Sequence, residues 1–285
     1  MYELKCLFNM YLEHIKKYKA YNTYMYYKKD FKVLGRALLD LGITSPKHIK
    51  NDLFEVLTDW LLKNTNKKNS KINDTISSFI TVLNFYSIKY PRRFKLRDDT
   101  ISFKVLSNEE YSRLISLVKS MDLKYCNNLV LVMGILLSLD TGVRLTELLE
   151  IKTKNVDLSS RSIYLEHTKN GIPRYVLFGN LSEKYVSKVL RYKQKYLMWN
   201  INSDMRVSRT VIYKFYNKLN AQLHFQYNLH PHRLRKTYAT RLLKKGCPLT
   251  TISKLLGHKD IKQTMIYLEI DYNMLKIDYD LYYPN

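Results

Sequence analysis

Cysteine is scarce in this chain. Cys6, Cys126 and Cys247 are odd in number, far apart and form no Cys-x-x-Cys pair. That argues against a disulfide framework or a cysteine-built zinc site and for a reducing compartment, so a cytoplasmic location is expected. Chain breakers are scarce too: eight glycines and six prolines in 285 residues leave room for long helices. Acidic residues are outnumbered, 25 Asp and Glu against 48 Lys and Arg, for a net charge of +23. No uncharged apolar run reaches spanning length and no long basic amphipathic helix is evident, so no membrane partner is expected. The N-terminal stretch MYELKCLFNMYLEHIKKY carries charges inside its apolar pattern, unlike a signal peptide.

What is present begins with the distribution of charge. Residues 1–105 hold 20 basic against 10 acidic side chains, and residues 106–285 hold 28 against 15. A basic tail would concentrate the excess. Here both halves share it, as expected of a protein that grips a polyanion, nucleic acid above all, with most of its surface, although a Lys-biased composition alone would give the same charge.

The apolar pattern predicts two domains. Leu7, Met10, Tyr11 and Ile15, then Tyr27, Phe31, Leu34 and Leu38, recur at helical spacing, and LFEVLTDWLL (53–62) and ISSFITVLNFYSI (76–88) continue the pattern. Residues 1–95 are therefore read as a helical bundle, stopped by Pro91. Charged, aperiodic residues 96–105 are read as a linker. A capping box at Ser107 and Glu110 opens a mostly α domain over 106–285. Its one interruption is RSIYLEH (161–167) and IPRYVLF (172–178), two β-rich runs around Asn170-Gly171, which predict a hairpin. The fold class expected is mainly α with a small antiparallel sheet.

Four stretches carry candidate chemistry. In DTGVRLTELLEI (140–151), Thr141-Gly142 is read as opening a helix, with Arg144 at its start and Glu147 within reach; an isolated Arg–Glu pair at that spacing is ordinarily a surface ion pair. Lys169 sits at the hairpin tip, where a lysine alone means little. HPHRLRKTYAT (230–240) contains His-x-x-Arg in two frames, His230/Arg233 and His232/Arg235. The apolar stripe Leu234, Tyr238 and Leu242 favours the second frame without excluding the first, because it places Arg235 beside the buried face near a helix N-terminus that already favours an anion. In CPLTTISKLLGHKDIKQTMIY (247–267), Gly257 ends one helix, His258 follows on a tight corner and Asp260 can cap the next. Tyr267 lies roughly 130° from the Ile261, Met265 and Leu268 stripe at about 100° per residue, so it is not a packing tyrosine of that face.

Two guanidinium groups can clamp a phosphodiester, a tyrosine can be a covalent nucleophile, and histidine and lysine can move the protons. Together with order and spacing, TGVRLTELLEI, TKNGIPR, HRLRKTYAT and LLGHKDIKQTMIY resemble the catalytic domain of the tyrosine recombinases, the phage integrase/Xer group. The resemblance implies that residues 1–95 are a core-binding DNA domain. It also implies that Arg144, Lys169, His232, Arg235 and His258 are the activating residues, Tyr267 the nucleophile and Glu147 a supporting residue. Lys236 stands where many members have histidine. The implied reaction cleaves and rejoins DNA through a 3′-phosphotyrosine and a Holliday junction, with no metal or cofactor. The implied partners are double-stranded recombination sites, a homotetramer on two sites (a dimer per site) and, in some systems, accessory DNA-bending proteins. The apolar, acidic tail 268–285 could fold back on its own domain; the resemblance implies instead that it docks in a neighbouring protomer. On length, a simple Xer-like or transposon-encoded enzyme is favoured over a large phage-type integrase. A catalytically silent DNA-binding protein of the same fold and a type IB topoisomerase-like enzyme are the alternatives.

Overall fold

The computed structural model describes residues 3–97, 105–124, 126–166, 168, 171–201, 203, 205–258 and 260–265. The chain divides into two compact units, Met1–Ile101 and Ser102–Asn285. No described helix is long and apolar enough to cross a membrane.

The first unit is built from α1 (Leu4–Tyr18), α2 (Tyr21–Asp40), α3 (Leu53–Asn64) and α4 (Asn69–Phe85). Each helix turns one stripe inward: Leu4, Leu7, Phe8, Tyr11 and Ile15 on α1 meet Phe31, Leu34 and Leu38 on α2 and Ile76, Phe79 and Leu83 on α4. Phe8 stacks on Phe31 with ring centroids 4.6 Å apart and meets Phe79 edge-on. Met10, expected on the buried stripe, is 45% exposed; Phe8, two residues earlier, takes the inward place.

Pro91 does not stop α4. The helix ends six residues earlier in a Schellman turn, with Ser87 left-handed (φ 53°), its N–H on the Asn84 carbonyl and the Ile88 N–H on that of Leu83. Residues 92–97, though aperiodic, are tied along α4. Arg93 donates to Ser77 Oγ and to Asn73 Oδ1, and Asn73 and Asn69 donate to the carbonyls of Leu96 and Arg97.

The second unit opens with α5 (Asn108–Ser120), whose Ser107–Glu110 capping box is formed in both directions. Next comes α6 (Cys126–Thr141), apolar on every side from Val132 to Leu139 and enclosed by its neighbours, as a helix of that composition must be. Then follow α7 (Leu145–Glu150), β1 (Val156–Asp157), β2 (Ser162–Leu165), β3 (Arg174–Leu177), α8 (Asn180–Leu190), α9 (Arg209–Leu223), α10 (Pro231–Lys244), α11 (Leu249–Leu256) and α12 (Lys262–Met265). The sheet is antiparallel in the order β1-β2-β3, with Ile163 opposite both Val156 and Val176.

The expected hairpin forms with shorter strands and a longer connection. Pairing stops at Leu165 opposite Arg174. Pro173 has no N–H for the ladder, and Glu166 is held by Lys152 Nζ at 2.6 Å. Gly171 keeps the positive φ a turn requires (73°), with its N–H on the Thr168 carbonyl.

Candidate active site

Three segments of the second unit come together, the last of them the C-terminal end of α11. The first is the turn from α6 to α7. Thr141 and Gly142 close α6 rather than opening α7: Gly142 is left-handed (φ 62°), with the Tyr238 ring packed against its Cα so closely that a Cβ would lie 2.4 Å from the ring. This reversal puts Arg144 at the N-cap of α7. Glu147, in the first turn, accepts the Arg144 backbone N–H at 2.8 Å and its guanidinium at 3.0 Å.

The pair is not a surface one, because Glu147 is 2% exposed. A second cation, Arg174 at the start of β3, donates to both carboxylate oxygens at 2.9 Å. Burial raises the Glu147 carboxyl, but the Arg174 hydrogen bonds and charge, followed by those of Arg144, outweigh it and hold the group below its usual value.

The second segment is α10. Pro231 suits its first turn, and His230 caps it by accepting the Arg233 N–H on Nδ1 at 3.2 Å. Arg233 and Arg235 are both buried, but they point in different directions. Arg233 pairs with Glu110 at 2.6 Å and donates to the carbonyls of Val105 and Tyr227, joining α10 to the start of α5. Arg235 instead donates to the carbonyls of Gly142 at 2.6 Å and Leu256 at 2.7 Å.

The third segment is the end of α11. Leu255 O receives Arg174 Nε at 3.2 Å, and Leu256 O receives both Arg235 and, at 3.5 Å, Arg144. The negative end of a helix dipole thus holds three guanidinium groups, where cations are favoured. Gly257, left-handed at φ 65°, ends α11 and sends His258 back toward Arg235, whose Nη2 lies 3.1 Å from His258 Nε2. Arginine can only donate, so Nε2 is the acceptor and the ring proton sits on Nδ1, facing Thr264 Oγ1 at 2.7 Å.

The result is an open cleft of about 440 Å³ bordered by Arg144, His232, Arg235, His230 and Tyr213. His232 faces solvent from it. Partial desolvation and the surrounding cations, Lys236 and Arg235 first, push its ring down to about 4. Desolvation and then Arg235 and Arg144 do the same to His258. Both imidazoles are therefore neutral near pH 7, acting as hydrogen-bonding rings beside two permanent cations. The structure brings Arg144, Glu147, His232, Arg235 and His258 together; Lys169 and Tyr267 lie outside the described residues. Sequence reasoning missed Arg174, which stood in the quoted TKNGIPR with no spacing rule to single it out. It also missed Tyr213, whose only signal was its place on the outer face of α9.

Against this geometry, residues 104–274 match the family model described as "Phage integrase family". The chain belongs to the phage integrase family of tyrosine recombinases. It is 25% identical over 272 residues to a probable integrase/recombinase of Acholeplasma phage L2, covering 93% of this chain and 92% of that protein. It is 35% identical over 144 residues to tyrosine recombinase XerA of Saccharolobus solfataricus, a match covering 50% of this chain and 47% of that relative. In fold, this integrase-family chain resembles the Tn1549 transposon integrase solved with circular intermediate DNA, with a TM-score of 0.77 at 18% identity over 98% of this chain and 99% of that one.

Proposed function

We propose that this recombinase cleaves and rejoins DNA at specific sites through a covalent 3′-phosphotyrosine. The observation that carries the reading is the convergence of Arg144 and Arg235 on the single carbonyl of Leu256 beside an open cleft, two cations aimed at one small volume. Such a pair suits the non-bridging oxygens of a scissile phosphate and the charge that develops on them in the transition state. The Tyr267 hydroxyl forms the new P–O bond as the bond to the 5′ oxygen breaks. Lys169 supplies the proton that the leaving oxygen needs, and the neutral His232 ring accepts the phenolic one. Attack by a 5′ hydroxyl reverses the step, so the bond energy is conserved throughout. Both units carry a basic excess, and residues 1–95 are assigned to binding the duplex that residues 106–285 cut. Four protomers on two sites would exchange strands in pairs through a Holliday junction. The acidic tail would dock in a neighbouring protomer rather than on DNA.

The test uses half-sites selected by the full chain from a randomised duplex library. A nick beside the scissile phosphate lets the cleaved fragment escape and traps the covalent complex. The parent protein is expected to accumulate an SDS-resistant complex whose DNA-bearing peptide contains Tyr267, and Tyr267→Phe to bind the same duplex but form none. A peptide containing Tyr272 would reassign the nucleophile. Binding without any covalent product would leave a silent DNA-binding protein of the same fold.

A further inference from the structure

Glu147 raises a difficulty for that reading. A buried carboxylate paired with Arg144 alone would neutralise the cation that is to meet the phosphate. Arg174 changes the balance. Its guanidinium forks onto both Glu147 oxygens at 2.9 Å, while the Arg144 side chain reaches only Oε1, at 3.0 Å. One negative charge is thereby shared between two positive ones, so the Arg144–Glu147–Arg174 cluster keeps a net charge of about +1 instead of zero.

Arg174 is also fixed from two other sides. Its Nε donates to the Leu255 carbonyl at 3.2 Å, and its side chain lies flat against Gly257, where an added Cβ would stand 2.8 Å from Cζ. The glycine before His258 is thus required twice, for its positive φ and to admit this guanidinium. Finally, Arg174 is the first residue of β3, so the same contacts fix the start of that strand.

We infer that Arg174 is a positioning residue: it takes up the charge and geometry of Glu147 so that Arg144 faces the scissile phosphate as an unneutralised cation. The inference rests on the strand-transfer reading above. Arg174 touches no reacting atom, so its effect must pass through Glu147 and Arg144.

The experiment compares the parent with Arg174→Met and Arg174→Lys on two versions of the selected nicked duplex, one with a normal scissile phosphodiester and one with a methylphosphonate there. Without a charged non-bridging oxygen, the second substrate has little use for an unneutralised Arg144. On the phosphodiester, covalent-complex formation in a single turnover is expected to slow about 100-fold for Arg174→Met and less for Arg174→Lys, with half-site binding little changed. On the methylphosphonate the gap should narrow at least about tenfold. Equal slowing on both substrates would make Arg174 a scaffold residue only and overturn the inference, as would parent-like rates on the phosphodiester. If Arg174→Met does not fold, Arg174→Lys is judged on the same two substrates. A parent that forms no covalent complex on either DNA would instead refute the strand-transfer reading.

Discussion

Among the described residues, the first unit buries one charged side chain, Asp30, whereas the second buries Glu147, Arg233 and Arg235. Asp30 sits between helices: Ser78 Oγ donates to it at 2.8 Å and Thr75 Oγ1 at 3.2 Å, with Lys67 and Lys71 just under 4 Å away. All its partners lie on or just before α4, so it locks α2 to that helix. Arg233 behaves in the same way, fastening α10 to α5 through Glu110. Arg235, two residues further on, is equally buried but anchors on backbone carbonyls beside the cleft. Burial of a charge therefore does not by itself mark chemistry; what the group faces does.

The sharpest way to break this distinction is to truncate the two arginines of α10 to the same residue. Arg235→Met is expected to slow single-turnover cleavage by about 100- to 1,000-fold while the helical circular dichroism persists. Arg233→Met leaves Glu110 its Ser107 N–H but removes the donor to Val105 and Tyr227, and should cost about 1–3 kcal/mol in urea unfolding, with the cleavage rate per folded molecule unchanged. A cleavage defect of similar size in both would abolish the contrast.

A smaller effect tests the first unit. Leu57 is fully buried in its apolar core, and Leu57→Ala should destabilise that unit by about 2–5 kcal/mol. Hydrogen exchange resolved helix by helix should show the loss in α1 to α4 and not in α10. Half-site binding should weaken before cleavage of bound DNA does.

The smallest effect concerns pH. His232 and His258 have folded-state values near 4 against an ordinary 6.5, so between these limits the unfolded chain binds more protons. Their contribution to stability is present above pH 6.5, is lost as the pH falls toward 4, and changes no further below that. Glu147, held below its usual value, adds a loss of the same sign at the acid end. Melting temperature should fall across this window, and His258→Asn should make the decline shallower. A slope unchanged by that substitution would mean His258 contributes nothing to it.

Some features could be read residue by residue. The Ser107–Glu110 capping box and the Gly257 stop depend on neighbours within one or two helical turns, and they appear where the spacing placed them. Errors arose where a local signal had a competitor nearby. Met10 yielded its buried position to Phe8, and Pro91 came after a left-handed Ser87 had already ended α4. Gly171 kept its positive φ, but strand pairing ended early, at Leu165 and Arg174, beside Pro173 and the Lys152–Glu166 pair. Arg174 was invisible for another reason: its partner Glu147 lies 27 positions away, and no periodicity links a strand residue to a helix cap.

By itself, then, the amino-acid sequence determined the helical character, the small antiparallel sheet and the residue types available for chemistry. These follow from backbone hydrogen bonds and apolar stripes that repeat over three or four residues. Tertiary structure alone decided that Arg233 would be buried against Glu110, that Glu147 would be buried between two cations, and that three guanidinium groups would gather on the last carbonyls of α11. Those outcomes depend on carbonyls and carboxylates brought from distant segments, because a buried cation adopts whichever orientation satisfies its hydrogen bonds.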